Sequence, residues 1–330
     1  MSALRRCAAA LAALLLASLA EASEPAVLYT SADQEHAEVI LQALQRQGLA
    51  VRAVFDAEAS KAVGLERRLT AERGRPVADV FWNSEFLRTW RLLRAGVLQA
   101  TPASAGAGVA GDFCGRQVAC FGVRSRVLAL HRPSMEGQPR PTSVADLADP
   151  RWARRVAIAR PLFGTTSTHF AALHAAWGEA RFVEFLQALK RNQVMILPGN
   201  GDVRDAVVAG KAWIGLTDTD DVVGALRRGQ PVDMVFPDQS ADGAFSVYMT
   251  AAVVSHAAHP AEAARLVRAL SAEAVERRLI EIGAVQMPLR AALPGAPEIG
   301  AQRPRLWFVD PARIEASLDR SIRLIREHLL

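Results

Sequence analysis

Short apolar runs alternate along this chain with longer stretches whose apolar residues recur every three or four positions, the signature of buried strands alternating with amphipathic helices. Ala26 to Thr30 reads as a buried strand, and Ser31-Ala32-Asp33-Gln34 as a capping box that opens a helix to about Gln47. Val51 to Phe55 is a second strand, a helix follows through Leu65 to Arg73, and Pro76 to Trp82 is a third strand ending at Asn83-Ser84-Glu85. This βαβαβ order predicts a parallel sheet with right-handed crossovers. Val118 to Leu130 is longer and less regular, as a strand crossing between two lobes would be. A second α/β set follows: strands at Arg155 to Ala159, Val194 to Leu197 and Trp213 to Leu216, with helices at Ser167 to Trp177, Glu179 to Arg191 and Asp202 to Ala209. Ala244 to Val254 reads as a returning strand, before helices at Pro260 to Leu270, Ala274 to Ile282 and Pro311 to His328.

The pattern predicts an α/β protein of two lobes with two crossing hinge segments: 23–122 with 250–300, and 123–249 with 301–330. A site shared by the lobes would lie in the cleft between them. Polar clusters stand at five strand or turn ends: Thr30 to Asp33, Asn83 to Glu85, Gly164 to His169, Gly199-Asn200, and Asp218 to Asp221. The C-terminal ends of strands are where open α/β sheets bind ligands.

The run Ile214-Gly215-Leu216-Thr217-Asp218-Thr219-Asp220-Asp221 empties an apolar strand into three carboxylates. All-oxygen donors suit a hard cation or a hydroxylated ligand, and the same residues are also favoured helix caps. Gly164-Thr165-Thr166-Ser167-Thr168 opens a helix with a glycine and four hydroxyls, which offers either an anion site or an N-cap rich in threonine. Asp33, Glu85, Asp220 and Asp221 are the candidate metal ligands. Ser31, Gly164, Thr165, Thr166, Asn200, Asp218 and Thr219 are the candidate contacts to an anion or solute, and His169 stands one turn into its helix.

Arg5 and Arg6 precede an apolar run from Cys7 to Ala20, and Ala20-Glu21-Ala22 offers small residues where a signal peptidase reads, so residues 1–22 are expected to be an export signal cleaved before Ser23. The mature chain is then exported and soluble, because no later stretch approaches a membrane span. Cys114 and Cys120 remain, a pair whose spacing reads as a disulfide-closed loop, with two buried thiols as the alternative, and which excludes a redox CxxC. The net charge of +5 is mild and carried almost wholly by arginine, with only Lys61, Lys190 and Lys211 as lysines. No basic run with interleaved aromatics is present, and nucleic acid is not an expected partner. A GxSxG elbow, a Walker pattern, a dinucleotide fingerprint and HExxH are all missing from the sequence, and no enzyme is expected.

The segments "YTSADQEHAEVI", "ADVFWNSEFLRTWRL", "GVRSRVLAL", "DLADPRWARRVAIARPLFGTTSTHFAAL" and "LPGNGDVRDAVVAGKAWIGLTDTDD" resemble periplasmic substrate-binding proteins of ATP-driven importers, in the ferric-ion-binding branch. The resemblance spans nearly the whole mature chain. It implies the two-lobed periplasmic-binding-protein fold, a flytrap that closes on ferric iron and a synergistic anion and delivers them to an inner-membrane ABC permease and its ATPase. In that branch a His follows the first strand, a Glu the third, and two adjacent Tyr sit in the second lobe. Here Asp33 stands for the His, Glu85 matches the Glu, and Thr219 and Asp220 occupy the tyrosine positions, while Gly164, Thr165, Thr166 and Asn200 match the anion-holding turns. A small phosphorylated or carboxylated solute, and a role in presenting ligand to a membrane sensor kinase, are the alternatives. A monomer without a catalytic cofactor is expected.

Overall fold

The computed structural model describes residues 24–56, 63–102, 113–290, 292–300 and 303–330. The expected signal peptide and its cleavage point lie outside the described residues. Strand β1 (Ala26–Thr30) lies between β2 (Val51–Phe55) and β3 (Val80–Asn83), parallel to both. All five β1 residues are buried because both faces of the sheet are covered. The two-residue alternation of a strand sends Ala26 and Leu28 to one core and Val27 and Tyr29 to the other. Helix α1 (Gln34–Arg46) buries Ala37, Ile40 and Leu44 at helical spacing. Helices α2 (Val63–Ala71) and α3 (Leu87–Arg94) follow β2 and β3.

Strand β4 (Ala119–His131) is the long crossing strand. Its first half pairs antiparallel with β9 (Ala244–Val253), which in turn pairs antiparallel with β3. Its second half pairs antiparallel with β7 (Ile214–Asp218) and with β8 (Val232–Val235). The expected parallel arrangement therefore holds within each βαβ set, and the two crossing strands join the sets antiparallel. In the second set β5 (Val156–Ala159) lies between β6 (Met195–Leu197) and β7. Helices α4 (Gly164–Trp177), α5 (Glu179–Arg191), α6 (Asn200–Val208) and α7 (Thr219–Arg227) belong to this set. Helices α8 (Pro260–Leu270) and α9 (Glu273–Ile282) and the short β10 (Leu306–Trp307) precede α10 (Pro311–His328), which packs on α4 and α5. Strand order is β2-β1-β3-β9-β4-β7-β5-β6, with β8 paired to β4 and β10 to β9.

β4 carries a bulge between Phe121 and Val123, where Gly122 has φ of +59° and the Val285 side chain would stand 2.9 Å from a Cβ. Only glycine meets both demands. The buried Glu276 carboxylate pins the bulge, accepting from the Gly122 and Leu289 amides at 2.7 Å and pairing with Arg290. At the start of the strand, Cys120 forms a disulfide with Cys114, their Cα atoms 5.4 Å apart, as the spacing suggested.

Two details differ from the sequence reading. The residue at the α1 N-cap is Asp33, which makes no capping bond, and the Ser31 hydroxyl donates instead to Asn83 Oδ1 at 2.6 Å. Helices α3 and α7 and strand β8 were not foreseen, because their arginines and acidic residues interrupt the apolar period.

Candidate functional site

In the first set β1 leads outward to β2 on one side and to β3 on the other, so the crevice beyond β1 and β3 is a switch point of the sheet. The second set has the same form, with β5 flanked by β6 and β7. Switch points at strand C-termini are where such sheets bind ligands, and here the two lie on opposite walls of one cavity of about 250 Å³. Asp33, Ser84 and Glu85 line it from the first wall, and Arg160, Thr165, Thr166, Asn200, Arg204, Asp218, Asp220 and Asp221 from the second.

On the second wall, β4 places Arg126 directly across the ladder from Asp218. Arg126 is wholly buried; it donates to Asp218 Oδ1 at 2.8 Å, Asn200 Oδ1 at 3.0 Å and the Leu216 carbonyl at 3.1 Å. Asp218 Oδ2 accepts from the Thr165 hydroxyl at 2.8 Å and the Asn200 amide at 2.9 Å. Burial pushes the Asp218 carboxyl up, but Arg126 and Arg124 outweigh it and hold it below the usual range. Asp218, Thr165 and Asn200 thus form one charge-assisted network that locks three strand ends together.

The next two carboxylates are less satisfied. Asp220 Oδ2 accepts from Arg124 Nη1 at 2.8 Å, while Oδ1 is buried without a partner among the described residues. Asp221 Oδ2 accepts from the Thr217 hydroxyl at 2.6 Å, and its other oxygen faces Arg204 at 3.6 Å. Burial, then Asp220 and Asp218, raise the Asp221 carboxyl to about 7, and burial raises Asp220 as well against the pull of Arg124. Asp218, Asp220 and Asp221 each bring one oxygen within 4.8 Å of the others, a grouping able to hold a hard cation.

An anion finds a different surface in the same cavity. Phe163 and Asp218, the N-cap residues of α4 and α7, make no side-chain cap, and Gly199 at the start of α6 has no side chain to do so. First-turn amides of three helices, with their dipoles, therefore converge where Arg124, Arg160 and Arg204 also line the wall.

On the first wall the groups satisfy one another. Ser31 Oγ accepts from the Ser84 amide at 3.0 Å, and the Glu85 oxygens accept from the Leu87 and Arg88 amides at 2.8 and 3.1 Å, capping α3. Asp33 lines the cavity opposite Asp220. The structure turns two proposed contacts away from it: Thr219 donates to Gln286 and accepts from the Ser125 amide, and Ser31 lines an adjoining groove. His169 is buried with its ring stacked on Phe245 at 4.9 Å, and burial, with Arg126 nearby, drives its pKa well below the ordinary value, so it is a neutral core imidazole. Neither tyrosine lines the cavity. Tyr29 donates to Glu72, and Tyr248 stacks on Phe86 at 4.7 Å.

The arginines are the site residues that sequence reasoning missed. Their signal is visible in "GVRSRVLAL", where Arg124 and Arg126 stand two apart, on one face of an otherwise apolar strand. A buried strand tolerates two like charges only where partners await them.

No curated protein matches the chain by sequence. Solved structures that share its fold include iron-bound HitA from Pseudomonas aeruginosa, at 23% identity over 93% of this chain and 99% of that one, with a TM-score of 0.80. Apo ferric ion-binding protein A from Pasteurella haemolytica is similar at 19% identity, 92% and 98% coverage and a TM-score of 0.81. The Trichodesmium protein FutA, in complex with iron and citrate, gives 19%, 92% and 98%, and 0.75. The architecture is thus the two-lobed periplasmic-binding-protein fold. Residues 10–283 match the bacterial extracellular solute-binding proteins, and with most of its length so matched the chain belongs to that family.

Proposed function

We propose that the chain is the periplasmic solute-binding component of an ABC importer, that it captures ferric iron together with an anion, and that it hands them to a membrane permease. The observation that carries the reading is Asp220 Oδ1, a buried carboxylate oxygen with no donor among the described residues, grouped with the carboxylates of Asp218 and Asp221 and beside three helix N-termini whose N-cap side chains make no capping bond. Leaving such an oxygen buried and bare costs about 1 to 3 kcal/mol or more, and a bound cation or donor removes that cost. Asp220 and Asp221 would supply oxygen to the metal, with Asp33 and Glu85 approaching from the opposite wall as the lobes close. Asp218, Thr165 and Asn200 would hold the frame, and the amides of α4 and α6 the anion. Among the structural neighbours, HitA and FutA are described as iron-bound.

One observation favours a second reading. Arg124 already occupies one oxygen of Asp220, and the cavity holds no tyrosine, an arrangement that also suits a small organic solute with a phosphate or carboxylate at one end and a positive group at the other.

Native mass spectrometry of the protein taken from periplasm, before and after unfolding, separates these readings. A released iron mass supports the first, a released organic mass the second, and a protein that never leaves the cytoplasm refutes the importer assignment.

A further inference from the structure

Arg124 stands midway along the crossing strand and touches both walls of the cleft. Its Nη1 donates to Asp220 Oδ2 at 2.8 Å, beyond β7, and its Nη2 to the Ser84 carbonyl at 3.0 Å, beyond β3. The side chain is 8% exposed, lines the cavity, and its Nε has no partner among the described residues. Arg126, two residues on, directs its contacts to the second wall and stays out of the cavity lining.

This geometry treats cations and anions differently. A cation arriving at Asp220 Oδ1 meets a guanidinium already seated on the other oxygen of the same carboxylate, and like charges so close repel strongly where water is excluded. An oxyanion meets the reverse situation, because the planar fork of a guanidinium matches it with two parallel hydrogen bonds.

We propose that Arg124 sets the specificity of the cleft by exchange: an oxyanion of the solute draws the guanidinium from Asp220, and the carboxylate so released completes the site for the solute's positive end. The inference rests on the iron-with-anion reading only for the identity of that positive end. A bare cation is refused, and an anion alone binds weakly because it competes with Asp220 for the same guanidinium. Arg124 therefore makes cation capture conditional on an anion.

The test uses the mature full chain and ferric iron supplied from chelating beads whose carboxylates cannot enter the cleft, with and without inorganic phosphate or citrate. Phosphate or citrate should raise iron uptake by the wild type about tenfold or more, and Arg124→Gln should take up iron almost equally with and without them. Asp220→Asn should show the opposite sign on its two arms, losing iron while binding phosphate alone more tightly than the wild type, since its Arg124 is no longer neutralised within the protein. Arg124→Gln leaves a buried carboxylate bare, so the double variant Arg124→Gln/Asp220→Asn, matched in charge, serves if the single one unfolds, and it should bind phosphate more weakly than Asp220→Asn does. Wild-type iron uptake that ignores phosphate and citrate would overturn the exchange and leave the iron reading standing. So would an Asp220→Asn variant that binds phosphate no more tightly than the wild type. Arg124-dependent phosphate binding without iron uptake under any condition would end the iron reading and support the exchange with a different positive group.

Discussion

The two walls of the cleft are built to the same plan and finished differently. Each is a three-stranded parallel unit with polar residues at its strand ends. On the first wall, Ser31, Asn83, Ser84 and Glu85 bond mainly to one another and to main-chain amides; Arg88 approaches the Glu85 carboxylate only to 4.0 Å, and the second wall reaches across through Thr168 to Glu85 at 3.5 Å and Arg124 to the Ser84 carbonyl at 3.0 Å. On the second, three carboxylates and the arginines of β4 and α6 are packed so tightly that one oxygen goes without a partner among the described residues and one carboxyl is lifted to about 7. A self-satisfied wall shapes a cavity. An unsatisfied one has interaction energy left for a solute. The difference places the discriminating chemistry on the second wall.

The largest expected effect tests whether Arg126 is the second wall's structural centre. Arg126→Met removes the nearest cation from the buried Asp218, leaving only Arg124 at 4.0 Å, and should destabilise the protein by about 3 to 5 kcal/mol in urea unfolding. Ser31→Ala on the first wall removes a neutral network bond and should cost about 1 to 2 kcal/mol. Equal losses would erase the distinction between the walls.

Asp220→Asn should next weaken iron binding by about tenfold or more, with folding stability changed by less than about 1 kcal/mol, because the amide keeps the side chain's shape and relieves the crowding of carboxylates. Glu85→Gln, whose oxygens already cap α3, should change affinity less. A larger loss from Glu85→Gln in a metal titration would move the discriminating chemistry to the first wall.

A smaller effect concerns pH. The Asp221 carboxyl, raised by burial and by Asp220 and Asp218, favours its protonated form in the folded state. Its contribution to stability is present below about pH 4, the unfolded value, and is lost as pH rises through about 7. Asp221→Asn should therefore be more stable than the wild type at pH 8 by on the order of 1 to 3 kcal/mol, with the gap closing toward pH 4. Chemical denaturation at the two pH values checks this, and a gap that widens in acid would contradict it. The lift of Asp221 also predicts that iron affinity falls as pH drops below 7, because metal ligands must be deprotonated.

The smallest effect is in fluorescence. Trp82 leads toward the first wall but is buried against Phe121 with ring centroids 6.3 Å apart, and Trp213 lies under Arg155 at the far end of β7 from the cavity. Although both precede or form strands that run to the cleft, ligand should leave their emission nearly unchanged. Closure should be read from small-angle scattering as compaction of the two lobes, which we assign to 23–122 with 250–300 and to 123–249 with 301–330. A large emission change would place a tryptophan nearer the solute than the structure does.

Much of this arrangement was legible in the chain. The helix over Pro311–His328 was readable to the residue, since Pro311 at its first position and Asp310 before it supply cap and start, and Ile314, Leu318, Leu324 and Ile325 keep the helical period with only Ser321 polar on the buried face. The strand-end clusters foretold the cavity because, apart from Arg124 within β4, the residues that line it stand at the end of a strand or within seven residues after one. Less legible was the inner structure of those clusters. Sequence spacing cannot show that Thr219 turns to Gln286 while Asp220 beside it turns to Arg124, because one helical residue rotates the side chain by about 100°. Helix α3 escaped because its buried face includes Arg88 and Thr89, which find Glu66 and Thr250 only through the tertiary fold.

Both tyrosines stand apart from the cavity, and this has a consequence for the eye. Phenolate oxygens on ferric iron give a visible charge-transfer colour, and carboxylate oxygens do not give that band. A preparation of this protein saturated with iron through Asp220 and Asp221 would be pale, so a purification that follows colour from column to column would discard the loaded fractions as empty.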